Sequence, residues 1–456
     1  MFDLVFRSDN CRLMEGFSLP HEFTSRKISP WGGIKFFHGT YQSTGTRELL
    51  GTLPIPQPGS NRGYKAEDLI EGFLCSVVLG SKRLAHTGML RTDAVIQEIF
   101  GWKKGMADQS TFSRFFHKHS LELNNEIFPA LMRGFFDKVK VDKMTIDIDS
   151  TVITRYGEQE HAEVGYNPKK QGRRSHHPIM AFCDEAAMVL NAWMRTGDSV
   201  SSTDADAFIE ELFTIVPPER IGLMRFDSGF YSQKIMELLE SQTIPVQYII
   251  RAKMTSALVS NIEEQQQWLS CNDVMNGAQY CAINYRGAGW DKERKIVIVR
   301  VPKREVKQQP VLFESINQFE QYEYKAFVTN LQFSAPLIHA LYNKRANAEN
   351  RIKDLKYDYG IEGFALTEFG AMEAAFRYVM VAYNIMAVFK QLVMRTQKGK
   401  MLSTIKFQCI AIGSYLQRKG SETTLKLAAT GKRRHFLENF FENLEVLKPP
   451  FQFSNA

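Results

Sequence analysis

From Lys65 onward apolar residues recur at three- and four-residue spacing in AEDLIEGFLCSVVLGSKRLAHTGMLRTDAVIQEIFG, which predicts helices ending near Gly80 and Gly101. In the next stretch, DQSTFSRFFHKH, Asp108 or Ser110 can cap a helix that exposes Arg114, His117 and Lys118. Around Val141 the period drops to two. KMTIDIDSTVITRYG reads as strand, turn, strand, with Met144, Ile146 and Ile148 alternating, and HHPIMAFCDEAAMVLNAWMRTGDS as two more strands joined at Asp184-Glu185. Then helix and strand alternate: ADAFIEELFTIV, IGLMRFDSGF, SQKIMELLESQ and VQYIIRAK. Three antiparallel strands followed by this alternation predict an α/β chain, a mixed sheet with helices on its faces.

The alternation breaks between 254 and 322, where QYCAINYR and KIVIVRVPK flank GAGWDKERK; a β-rich insertion is expected there. The sheet resumes at YKAFVTNL, LYNKRANAENRIKDLKYDYG reads as one helix, and MEAAFRYVMVAYNIMAVFKQLVM as an apolar one. The expected organisation has six parts. They are an extended segment (1–64), a helical unit (65–138) whose short basic helix suits a DNA-binding domain or is an amphipathic helix with a solvated face, a core in two pieces (139–253 and 323–395) split by the insertion (254–322), and a helical basic tail (396–456).

The helix after the insertion has an unusual polar face. Tyr342, Arg345, Glu349 and Lys356 fall at offsets of three, seven and fourteen, within roughly 60° of arc at about 100° per residue. A phenol, a guanidinium, a carboxylate and an ammonium on one stripe suit the holding of a phosphate and a metal ion, whereas Glu349 with Arg345 or Lys353 alone would be an ordinary helix pair. Partners for Glu349 stand upstream. Asp149 ends a strand in IDIDST and Asp227 ends one in LMRFDSGF, and sites collect beyond strand ends in such sheets. Three oxygen-donor carboxylates suit Mg²⁺ or Mn²⁺, and two such ions can drive an in-line phosphoryl displacement. Asp147 shares the face of Asp149, as a supporting group or the buried partner of a basic residue. Asp227 before Ser-Gly also has the form of a plain turn.

Composition adds bounds. The 456 residues are 44% hydrophobic and 23% charged, ordinary for a globular protein with room for a large core, and the net charge of +7 is compatible with a polyanionic partner. Six scattered cysteines form no CxxC or metal spacing and fit a reducing cytoplasm. No signal-peptide pattern and no run of about 18 apolar residues is present, so no membrane is expected and the expected location is cytoplasmic, associated with the nucleoid. Lys169, Lys170, Arg173 and Arg174 in GYNPKKQGRRSHHP suit a DNA backbone or are a solvated charge run. Trp290 in GAGWDKER can stack on an unpaired base or be an ordinary turn or core tryptophan.

These motifs resemble bacterial insertion-sequence transposases of the DDE class, in the branch marked by Tyr-(2)-Arg-(3)-Glu-(6)-Lys. Tyr342, Arg345, Glu349 and Lys356 match that signature without a gap, IDIDST resembles the first-aspartate motif, and Asp227-Ser228-Gly229-Phe230 the second. The likeness spans about residues 65 to 440. It implies a ribonuclease H-like core interrupted by a β-rich insertion. Asp149, Asp227 and Glu349 would be catalytic and metal-binding, with Tyr342, Arg345 and Lys356 holding the DNA phosphate. It further implies cleavage at the inverted-repeat ends of an element, attack of the freed 3′-hydroxyl on target DNA, and a homodimer on DNA. A nuclease that only hydrolyses, or an inactive DNA-binding derivative, are the alternatives.

Overall fold

The computed structural model describes residues 23–59, 62–303, 321–396 and 399–453. It opens with a short strand β1 (Ile28–Ser29) and helices α1 (Ile34–Thr44) and α2 (Thr46–Leu50). The segment before residue 65 is therefore not extended throughout. Gly39, Thr40 and Thr44 make α1 a weak helix by propensity, but Ile34, Phe36, Phe37 and Tyr41 are buried along it, and packing decides. Helices α3 (Ala66–Leu79), α4 (Gln109–Phe116) and α5 (Leu121–Phe136) follow. Asp108 caps α4 by accepting from the Thr111 N–H at 2.7 Å.

The sheet begins with β2 (Met144–Ser150). Short strands β3 (Ile153–Thr154), β4 (Glu163–Val164) and β5 (Arg174–His176) form a small side sheet in the order β3-β5-β4. Then come β6 (Ile179–Cys183), β7 (Met188–Trp193), α6 (Ala205–Ile215), β8 (Ile221–Phe226), α7 (Gln233–Glu240) and β9 (Tyr248–Arg251). In the main sheet β6 runs antiparallel to β2 and β7 antiparallel to β6, and β8 and β9 run parallel on the other side of β2. Taking these five in chain order, the sheet reads third, second, first, fourth, fifth, with only the second strand reversed. This is the ribonuclease H-like arrangement.

The insertion holds α8 (Ser256–Glu263), β10 (Leu269–Ser270), β11 (Gln279–Tyr285) and β12 (Arg294–Pro302). It does not stand apart. With β13 (Tyr322–Thr329) it continues the main sheet beyond β9, in the order β10-β11-β12-β13-β9-β8-β2-β6-β7. The chain then forms α9 (Ala335–Asn343), α10 (Ala346–Tyr357) and α11 (Phe369–Val388). Helix α11 is buried almost end to end because α1, α3, α5 and β7 all pack on it, so the helical layer and the sheet share one core. The tail is not wholly helical. An antiparallel hairpin, β14 (Ser414–Lys419) and β15 (Glu422–Leu427), precedes α12 (Gly431–Glu445), and β1 pairs with β14. Alternation in SYLQRKGSETTLKL with Gly420 at positive φ fits a hairpin better than a helix.

Candidate active site

Met144, Ile146 and Ile148 of β2 point into the core, so Thr145, Asp147 and Asp149 share the opposite face, which α10 covers. Ile148 lies opposite Phe226 of the parallel strand β8. Asp149 and Asp227, each one residue further on, therefore leave neighbouring strands at the same end, about 4.8 Å apart by strand spacing. Asp227 turns the chain by accepting from the Gly229 N–H at 2.8 Å. A Cβ at Gly229 would lie 2.6 Å from Ser201 Oγ and 3.0 Å from Asp227 Oδ1, so glycine there keeps the carboxylate in place.

Tyr342, Arg345, Glu349 and Lys356 do not share one uninterrupted helix. Tyr342 belongs to α9, and Arg345 stands at the N-terminal boundary of α10. The cause lies in β8. Arg225 Nη1 donates to the Leu341 carbonyl at 2.8 Å, the oxygen that Arg345 N–H would otherwise use. Arg345 N–H instead bonds Tyr342 at 2.9 Å, and the helix tightens for a turn. Arg225 also grips Asp147 through Nε at 2.6 Å and Nη2 at 2.8 Å and reaches Asp184 at 3.0 Å. Arg351 of α10 bonds Asp184 at 2.6 Å and lies 3.9 Å from Asp147. Burial works against the charge of Asp184, yet Arg351 and then Arg225 hold its carboxyl below the usual range. Asp147 is thus the buried partner of a basic residue.

Asp149 is buried, 7% exposed, and pairs with Arg345 Nη2 at 3.0 Å. Burial pushes its carboxyl up to about 6; Arg345 opposes the rise, while Asp227 and Glu349 add to it. Asp149 therefore feels both of the other carboxylates. Glu349, with its side chain 60% exposed, lies 3.8 Å from Arg345 Nη1. The guanidinium stands between Glu349 and Asp149, and among the described residues no three His, Cys, Asp or Glu side chains converge, as they stand, into a set that can hold a metal ion. The Tyr342 phenol is raised by burial and senses Arg345, Asp227 and Asp149. Lys356 Nζ donates to the Val152 carbonyl at 2.8 Å and pairs with Glu362 at 3.0 Å.

Lys169, Lys170 and Arg173 are exposed in the loop between β4 and β5, and Arg174 is exposed at the start of β5, paired to Glu158 at 2.9 Å. Trp290 is placed differently from the expectation of a stacking platform. It is 8% exposed, with Tyr231 and Tyr285 packed at 5.8 Å and Arg294 over its ring at 5.4 Å, so its faces are covered. Sequence reasoning passed over Arg251, Lys253 and Lys325, which with Ser228 line a cavity of about 350 Å³ beside Asp227. The signal was available: IIRAK ends a strand as IDIDST does.

A profile of the family described as transposase DDE domain group 1 matches residues 12–449. The chain belongs to that family. This DDE transposase-family chain matches no curated protein. It is similar to a piggyBac transposase determined by cryo-electron microscopy as a synaptic complex with hairpin DNA, at 10% identity over 92% of this chain and 84% of that one, with a TM-score of 0.40. DDE transposases generally use divalent metal ions. The donor chemistry fits one: Asp149, Asp227 and Glu349 offer oxygens only. No helix among the described residues is long and apolar enough to cross a membrane.

Proposed function

We infer that this is an active transposase of the bacterial insertion-sequence branch, which cuts DNA at the ends of an element and joins the freed 3′-hydroxyl to a target. The observation that carries the reading is the placement at the ends of β2 and β8, where Asp149 and Asp227 leave neighbouring strands together and Arg345 reaches both Asp149 at 3.0 Å and Glu349 at 3.8 Å. Asp149, Asp227 and Glu349 would hold Mg²⁺ or Mn²⁺, in two ions, and such ions supply an activated attacking oxygen and a stabilised leaving oxygen.

The chain's own residues do the rest. Among the described residues Arg345 Nε has no hydrogen-bond partner, and its fork suits a phosphate; on binding DNA it exchanges Asp149 for the phosphodiester beside the cut. Tyr342 donates its hydroxyl to the same phosphate. Lys169, Lys170, Arg173 and Arg174 carry the duplex backbone, the +7 net charge favours that encounter, and two copies pair the element ends in the cell's nucleoid.

The deciding experiment incubates protein and Mg²⁺ with end-bearing and target duplexes and looks for joined products. Cleavage without joining would leave only a nuclease. Binding with neither would leave a DNA-binding derivative. Asp227→Asn is expected to abolish cutting while duplex binding persists; wild-type cutting by that variant would unseat the assignment.

A further inference from the structure

Six residues beyond Asp149, at most about 20 Å along the chain, β3 runs into Arg155. Arg155 is 3% exposed, and its guanidinium is held at two points. Nε donates to His176 Nδ1 at 3.0 Å, and Nη1 donates to the Glu362 carbonyl at 2.9 Å. Nη2 has no partner among the described residues. His176 supplies no negative charge, because an Nδ1 that accepts requires a neutral ring, which burial favours by lowering it to about 4. The carboxylate that acts on Arg155 is that of Glu362, and it is engaged by Lys356 at 3.0 Å. A buried guanidinium with a free N–H and a counter-ion committed elsewhere is costly to keep.

Arg155 lines a cavity of about 500 Å³, within the range of about 300–1,000 Å³ usual for ligand sites. The other wall comes from the helical layer. Gln109, Ser113 and His117 stand four residues apart and so present one face, and Arg83 joins them. Neutral donors and cations converge from two layers of the molecule. The acid lining the cavity is Glu362, and His117 is 3.1 Å from Glu368.

We propose that this cleft is a second phosphate seat, in which Arg155, Arg83, Gln109 and Ser113 hold a backbone phosphate of the DNA strand a few nucleotides from the cut. The proposal rests on the transposase reading and extends it: the helical layer and the strand leaving Asp149 grip one strand from both sides. Lys356 then links the two places, touching the Val152 carbonyl on the strand from Asp149 and the Glu362 side chain beside Arg155.

The test measures binding of a synthetic duplex of random sequence across a range of salt concentrations. Ser113→Glu, on the partly exposed rim, puts a like charge into the seat, and Arg155→Gln removes the guanidinium. Each is expected to weaken binding for all sequences alike and to reduce the slope of log K against log salt by about one, with Arg155→Lys retaining most of the affinity. A Ser113→Glu protein with wild-type melting temperature, wild-type affinity and an unchanged slope overturns the proposal, whatever Arg155→Gln does to folding. If that variant binds normally while the wild type still joins ends, this proposal alone falls; a wild type that binds no duplex overturns the transposase reading with it.

Discussion

Asp147 and Asp149 lie two residues apart on one face of one strand, yet they live in opposite electrostatic settings. Around Asp147 the account closes: two carboxylates, Asp147 and Asp184, meet two guanidiniums, Arg225 and Arg351. Around Asp149 it stays open, with Asp227 and Glu349 acting on the same carboxyl and Arg345 as the cation at hand. The inner group is neutral, buried and fixed. The outer group is negative, lies at a strand end and includes an exposed glutamate. A closed, buried charge set is costly to break, and an open one is a place for a ligand that brings the missing charge.

The sharpest way to break this contrast is to neutralise each aspartate in turn. Asp149→Asn is expected to reduce strand cleavage by about 10³-fold or more, on the scale of losing a preorganised transition-state contact, with no loss of melting temperature. Gel assays and thermal melts on the same sample read both; an active Asp149→Asn protein with a lowered melting temperature would reverse the assignment. Asp147→Asn should do the converse to stability. It leaves Arg225 buried without its main counter-charge and should cost about 3–5 kcal/mol in urea unfolding. A variant within experimental error of the wild type would mean that Arg225 finds Asp184 sufficient.

Divalent ions should separate the two sites as well. Mn²⁺ at about 100 times its dissociation constant should stabilise the wild type by about 2.7 kcal/mol and leave an Asp149→Asn/Asp227→Asn double variant where it was. An equal shift in both proteins would place the ion elsewhere. The smallest effect expected comes from a third buried carboxylate. Burial raises Glu71 from 4.5 to about 7, although it accepts from Trp102 at 2.8 Å and pairs with Arg47 at 3.1 Å. The folded chain then binds a proton more tightly than the unfolded one, so this stabilisation is complete below about 4.5 and is lost as pH rises through about 7. With Arg47 partly exposed to screening, the loss is on the order of 1–2 kcal/mol, and Glu71→Gln should flatten that part of the stability-against-pH curve.

The strands that build the site were legible because their periodicity is local. Alternation in MTIDIDS and the apolar runs in IGLMRF and VQYIIR need no knowledge of neighbours, and strand ends followed by Ser-Thr or Ser-Gly locate Asp149 and Asp227. The break before Arg345 was not legible. LYNKRANAEN carries no Gly or Pro, and the group that diverts the Leu341 carbonyl is Arg225, 116 residues upstream. The fate of Trp290 depends in the same way on Tyr231 and Arg294, which only the folded sheet brings to it. Helix α1 was missed because its propensity is poor and its stability comes from the rings of α12, Phe440 and Phe441, packed on Phe36. The pairing of Glu349 with Arg345 was open to a reading from helix spacing, whereas the reach of the same guanidinium to Asp149 at 3.0 Å was not.

The insertion's place in the main sheet has a mechanical consequence. Strands β12 and β13 are zipped from Lys295 opposite Thr329 to Pro302 opposite Tyr322, and β13 is in turn zipped to β9. A lobe joined by linkers can swing about them, but a lobe that continues a ladder moves only by tearing backbone bonds or bending the whole sheet. Torque applied to the insertion by a bound duplex would pass through β13 directly into α9 and the Tyr342 end of the site, with little slack. In such a body any duplex bound to the insertion would be the more compliant partner.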